Sequence, residues 1–156
     1  MKKFDLVVLG AGPGGYIAAI RAAQLKKKVA IVEEDKLGGV CLNRGCIPTK
    51  AVLKSAHRVH EIAQFKSLGI DVELKGLDGA KAVKRAGAIS ERISKGVGFL
   101  MKKNNITVIK GTAKLVSNTK IEVVDGAKTE TVEATNFILA TGAGYKSFPG
   151  LEHDGK

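Results

Sequence analysis

Cys41 and Cys46 are the only cysteines in this 156-residue chain, and both fall in the segment Leu37-Gly38-Gly39-Val40-Cys41-Leu42-Asn43-Arg44-Gly45-Cys46-Ile47-Pro48-Thr49-Lys50. Four intervening residues permit a disulfide if the backbone folds back. So small a ring adds only about 2 kcal/mol by loop closure, which makes stability a weak reason to keep it. Redox chemistry is a better one. Pro48 suits the first turn of a helix, where no N–H is required. A cysteine at that helix start has its thiolate favoured by the helix dipole, and Lys50 adds to the effect. A thiolate beside an electron-accepting cofactor can pass two electrons onward. A structural zinc site would need about four ligands, and only His57, His60 and His153 stand beside the cysteines. His57 and His60 read instead as helix-surface or packing residues. Two buried cysteines acting as small hydrophobes are the remaining alternative.

A second group of residues points to a nucleotide. Gly10-Ala11-Gly12-Pro13-Gly14-Gly15 satisfies the G-x-G-x-x-G pattern between an expected strand and an expected helix. In that setting Gly10 permits the tight turn, Gly12 lets a pyrophosphate approach the backbone, and Gly15 lets the helix pack on the strand. The helix N-terminus offers unpaired N–H groups and partial positive charge to the phosphates. Glu33, followed by Glu34, closes the next strand, where a carboxylate accepts hydrogen bonds from ribose hydroxyls and repels a 2′-phosphate. The pattern therefore favours FAD or NAD over NADP and does not choose between the first two. A glycine-rich turn without a ligand is the bland alternative.

The elements that must position these residues follow from pattern. Residues 4–9 read as a buried strand, residues 16–25 as an alanine-rich helix and residues 29–32 as a second strand, together a βαβ unit. Val52, Ala56, Val59 and Ala63 recur at helical spacing over residues 48–65, and Ala82, Ala86, Ile89, Ile93, Val97 and Leu100 do so later. Two amphipathic helices packed together are expected. Gly87, Gly96 and Gly98 would each cost the second about 1 kcal/mol, which implies close packing or early fraying there. Residues 106–109, 113–116, 120–124 and 129–134 then read as short strands, with turns at Asn118 and Asp125-Gly126. A continuously apolar strand over residues 137–140 ends at Thr141-Gly142, as a central parallel strand aimed at a ligand would.

The totals set bounds. At this length one domain, residues 1–156, is expected, with 44% hydrophobic residues and mean hydropathy near zero. The formal charge of +11 raises the question of nucleic acid. The lysines are scattered, however, and read as a solvated surface, so neither nucleic acid nor membrane is expected as a partner. Met1-Lys2-Lys3 and the apolar residues after it lack a cleavage site, which points to a cytoplasmic protein whose two cysteines are redox groups.

Residues 10–25 and the cysteine segment together resemble the dihydrolipoamide dehydrogenase branch of the pyridine nucleotide-disulfide oxidoreductases. The likeness extends through Lys95-Gly96-Val97, Lys110-Gly111-Thr112-Ala113, Ala140-Thr141-Gly142 and Pro149-Gly150. It implies an α/β, Rossmann-like FAD-binding domain with a central parallel sheet, an inserted pair of helices and a small antiparallel β-meander. It further implies FAD contacts at Gly10, Gly12, Pro13, Gly15, Glu33, Glu34, Gly38, Gly39, Val40, Cys41, Lys50, Gly111, Thr112, Ala113, Ala140, Thr141 and Gly142. Cys41 would be the interchange thiol of a Cys41-Cys46 disulfide, and Cys46 the charge-transfer thiol beside the flavin. The implied cycle carries electrons from dihydrolipoamide on a lipoyl carrier, in a 2-oxoacid dehydrogenase complex, through disulfide and FAD to NAD+. Family members are homodimers about three times this long, so nicotinamide-binding and dimerisation domains are expected to be absent here. Leu42 and Ile47-Pro48-Thr49-Lys50 fit the lipoamide branch better than mercuric or glutathione reductases. An inactive dinucleotide-binding module is the alternative function. Two departures stand out: Lys26 replaces a glycine after the first helix, which would lengthen the helix end, and Gly144-Tyr145-Lys146 replaces a proline- and arginine-containing stretch.

Overall fold

The computed structural model describes residues 2–144 and 147–151. Tyr145, Lys146 and His153 lie outside them. The chain runs β1 (Lys2–Leu9), α1 (Pro13–Gln24), β2 (Val29–Glu33), α2 (Gly39–Asn43) and α3 (Cys46–Phe65), then a 3-10 turn (Lys66–Leu68) and α4 (Gly79–Lys103). Four strands follow: β3 (Thr107–Lys110), β4 (Thr112–Ser117), β5 (Lys120–Asp125) and β6 (Lys128–Leu139). They join one six-stranded sheet in the order β3-β2-β1-β6-β5-β4. The expected α/β architecture is present: β1 pairs in parallel with β2 and β6, β2 in parallel with β3, and the β4-β5-β6 meander is antiparallel.

The two short strands expected at residues 129–134 and 137–140 are one strand. β6 pairs with β1 from Lys2↔Val132 to Leu9↔Leu139, while β5 pairs only with its first half, from Asp125↔Lys128 to Lys120↔Glu133. No turn is needed at Asn136, because its side-chain amide donates to the Asp5 carbonyl at 3.3 Å and keeps the strand continuous. As expected, residues 137–139 run parallel to β1 near the middle of the sheet; beyond Glu133 the strand has a neighbour on one side, and Ile138 and Leu139 are exposed.

Two apolar layers flank the parallel strands. One joins Val7, Leu9, Ala30, Val32 and Ile109 to Ile121, Val123 and Val132 of the meander, so that β4 to β6 cover one face. The other sets Val8, Val29 and Ile31 against Ala19 of α1 and Val97 and Met101 of α4. Val7 and Leu9 enter one layer and Val8 the other, because successive side chains of a strand point to opposite faces.

The helix pair α3–α4 packs together as expected. Asp78 caps α4, its carboxylate accepting from the Lys81 N–H at 2.9 Å. The helix neither frays nor packs tightly at its glycines: it continues to Lys103, a Cβ on Gly87 or Gly96 would meet nothing within 4 Å, and one on Gly98 would meet only Leu37, at 3.6 Å. Helix α1 also corrects an expectation. It stops at Gln24 and is not lengthened by Lys26, because Lys26 itself adopts the left-handed conformation, φ 64°. The Lys26 N–H donates to the Ala23 carbonyl and the Lys27 N–H to the Ala22 carbonyl, the bonding of a Schellman cap. Among the described residues no helix is long and apolar enough to cross a membrane.

Candidate functional site

The strand ends and the turns that leave them create the site. β1 turns into α1 through Gly10 to Gly12, with Pro13 as the first helical residue, whose missing N–H costs nothing there. A Cβ on Gly15 would sit 1.8 Å from the Gly10 carbonyl oxygen, so helix and turn approach as closely as the fingerprint requires. The Gly12 side is open: a Cβ there would meet only the Gly39 Cα, at 3.9 Å.

A second glycine turn, Gly38-Gly39, leans on the first. The Gly38 N–H donates to the Ala11 carbonyl at 2.8 Å. Gly39 has φ 59°, and a Cβ on it would lie 2.6 Å from the Gly12 Cα. Any side chain at residue 39 would therefore wedge the turns apart. The turn opens directly into α2, a short helix that the sequence reading missed and that carries Cys41. Its five residues are too few to show a 3.6-residue period.

Glu33 holds these parts in register. Its Oε2 accepts from the Ala11 N–H at 2.8 Å and its Oε1 from the Asp35 N–H at 2.9 Å. Each carboxylate oxygen keeps a further lone pair for a ribose hydroxyl. Glu34 accepts from the Thr112 hydroxyl at 2.9 Å, which ties the end of β2 to the start of β4.

A cleft of about 590 Å³ opens between the strand ends, lined by Gly10, Pro13, Glu33, Glu34, Gly39, Val40, Cys41, Ala140, Thr141 and Gly142 among the expected contacts. A smaller hollow of about 120 Å³ shares Gly10, Glu33, Glu34 and Thr141 and adds Gly111, Thr112 and Ala113. The volume is in the range of cofactor clefts. Gly12 and Gly15 shape it from behind, and Gly38 is buried under Leu42. Asp35, Lys36, Asn43 and Arg44 also line it and were not expected there. Asn43 and Arg44 lie between the cysteines, so position alone could have flagged them.

Cys41 is half-buried at the cleft wall, and Cys46 is exposed as the first residue of α3. The disulfide implied by resemblance is not formed; both are free thiols. They are in contact: the hydrogen bond with the Cys46 thiol raises the Cys41 pKa above the usual thiol value. Partial burial and the charge of Cys46 act in the same direction, while the Cys46 N–H and the Lys50 ammonium oppose them more weakly. Lys50 is exposed one turn into α3 and does not line the cleft. Among the described residues no cluster of three or more His, Cys, Asp or Glu is placed to hold a metal.

The profile of the pyridine nucleotide-disulphide oxidoreductases matches residues 4–156. The chain is 45% identical to the dihydrolipoyl dehydrogenase of Rhizobium etli over 99% of its length and 36% of the relative's. It is 45% identical to that of Chlamydia pneumoniae over 96% of its length and 32% of the relative's. It thus spans about a third of these relatives. Among solved structures, the copper(II) complex of the HOCl-induced flavoprotein disulfide reductase RclA from Escherichia coli matches 96% of this chain and 31% of its own, with a TM-score of 0.77 and 26% identity. With the paired glycine turns, the acidic strand end and the adjoining thiols in place, these likenesses make the chain a member of the pyridine nucleotide-disulphide oxidoreductase family.

Proposed function

We propose that residues 1–156 form the FAD-binding, redox-thiol domain of a dihydrolipoamide dehydrogenase, which moves two electrons from dihydrolipoamide through Cys41 and Cys46 and FAD to NAD+. The observation that carries this reading is the placing of Cys41 on the wall of the same cleft that Gly10, Gly39 and Glu33 line. FAD, when bound, supplies the two-electron acceptor beside the thiols. The residues present suit it. Glu33 has lone pairs for the adenosine ribose, the open backbone at Gly12 and the N-terminus of α1 suit a pyrophosphate, and Gly111 to Ala113 and Ala140 to Gly142 wall the rest.

The thiol chemistry belongs to this chain. In the oxidised pair, a substrate thiolate attacks Cys41 Sγ, the Cys41–Cys46 bond breaks and Cys46 leaves as thiolate. The second substrate thiol then displaces Cys41, so that one dithiol becomes a disulfide as one disulfide becomes two thiols. The Cys46 N–H at the start of α3 and the Lys50 ammonium stabilise negative charge on Cys41. NAD+ binding, the homodimer, the lipoyl carrier and its 2-oxoacid dehydrogenase complex, and a cytoplasmic setting belong to the proposal. They rest on the relatives named dihydrolipoyl dehydrogenase.

Titrating the purified chain with FAD and following flavin fluorescence tests the cofactor. Saturable binding is expected, retained in Cys41→Ser, whereas reduction of bound FAD by dihydrolipoamide is lost in that variant. Dithiol reduction that survives Cys41→Ser would remove the role assigned to Cys41.

A further inference from the structure

Arg44 sits in the turn between the two cysteines, at the C-terminal end of α2, and its guanidinium Nη2 donates to Asp35 Oδ2. Both residues line the cleft. Asp35 in turn donates its N–H to Glu33 Oε1 at 2.9 Å, and Glu33 Oε2 accepts from the Ala11 N–H at 2.8 Å. A continuous run of hydrogen bonds therefore leads from the first glycine turn, through the carboxylate placed to read a ribose, to the turn that holds both thiols. The thiol segment has other ties. Asn43 Nδ2 donates to the Leu37 and Gly39 carbonyls at 3.2 and 2.9 Å, and Ser94 Oγ of α4 donates to the Leu37 carbonyl at 2.7 Å. Those ties hold the second glycine turn, whereas Arg44 reaches the acidic end of β2.

The Arg44–Asp35 pair is about half exposed, with side-chain exposures of 58% and 44%, and such pairs contribute little to stability. A planar guanidinium is valuable here for direction, since its donors point in fixed orientations. We propose that Arg44, paired with Asp35, is a positioning residue that links occupation of the adenosine end of the cleft to the reactivity of Cys41. The inference rests on the dinucleotide reading above. A ribose hydroxyl that donates to a remaining lone pair of Glu33 shares that carboxylate with the Ala11 and Asp35 N–H groups and weakens its hold on both. What binds there is felt at Asp35 and, through the guanidinium, between the thiols.

ADP separates this link from simple shielding, because it carries the ribose and pyrophosphate but no flavin ring to cover the cysteines. The experiment measures the pH-dependent rate of Cys41 alkylation by iodoacetamide in the 156-residue chain, with and without ADP, resolved by peptide mass. Calorimetry measures ADP binding separately, and thermal melts check the fold of each variant. ADP is expected to change the wild-type rate about fivefold, in the usual range of coupling between sites. With ADP at a concentration that saturates each variant by calorimetry, Arg44→Gln is expected to stay folded and lose that response, and the charge swap D35R with R44D to restore it. An undiminished response in Arg44→Gln, or a folded swap variant that fails to restore it, overturns the link. ADP binding with no effect on wild-type alkylation also overturns the link and leaves the dinucleotide reading standing; absence of ADP binding overturns both.

Discussion

Glycines at the cleft and glycines on α4 answer to different constraints. At the cleft, a Cβ on Gly15 would lie 1.8 Å from a backbone oxygen and one on Gly39 would lie 2.6 Å from a backbone carbon, at a positive φ. On α4, a Cβ on Gly87 or Gly96 would meet nothing within 4 Å, and the helix runs through them. The first pair is dictated by two chain segments that must touch for strand, helix and thiol loop to share one cleft. The second pair costs helix stability with no packing partner in return. One residue type is thus a requirement at one end of the molecule and a removable weakness at the other.

Gly15→Ala should produce the largest effect. With backbone on the opposing side, the clash has no flexible side chain to yield, and a loss of about 3 kcal/mol or more is expected, at the upper end of overpacking costs. Denaturant melts would show it. Gly39→Ala should also remove FAD binding in a titration, because the wedge falls between the two turns that frame the cleft. If either variant melts and binds as the wild type does, the close approach is not a requirement.

Cys46→Ala sharpens the cleft side of the comparison at the thiols. Removing the Cys46 sulfur abolishes the hydrogen bond and the charge that raise the Cys41 pKa, while the residue 46 N–H and Lys50 continue to favour the thiolate. The Cys41 pKa should fall, so more thiolate is present at pH 7 and iodoacetamide labelling there should quicken. A midpoint that moves upward in the pH–rate profile would contradict the assigned cause.

Smaller, stabilising effects are expected elsewhere. Lys26→Gly relieves a left-handed residue at the end of α1 and should stabilise by about 1 kcal/mol. Gly87→Ala and Gly96→Ala should each add about 0.5–1 kcal/mol, with FAD affinity unchanged. Thermal melts would read all three, and destabilisation by either α4 substitution would mean that the open face of that helix is used.

Legibility in the sequence followed the same division. β1, α1 and β2 were clear because a strand period, a helix period and the glycine pattern agree there, and the clustering of Gly10, Glu33, Cys41 and Thr141 in one cleft was implied once those elements were placed. α3 and α4 were clear from their long apolar stripes. β6 was divided in two because the mixed segment 129–134 and the apolar run 137–140 have different patterns, whereas Asn136 between them bonds across to β1. α2 was too short to announce itself. Arg44 could have been flagged by its place between the cysteines, but its pairing with Asp35 depends on how a loop folds back, which no local period encodes.

The account rests on FAD lying beside the Cys41–Cys46 pair, and a visible absorption spectrum of the chain loaded with FAD, recorded before and after dihydrolipoamide, tests that most directly. Oxidised flavin bands that give way to a long-wavelength charge-transfer shoulder, lost in Cys46→Ala, are the predicted result. Bound flavin whose spectrum is indifferent to dithiol and to Cys46→Ala would contradict it.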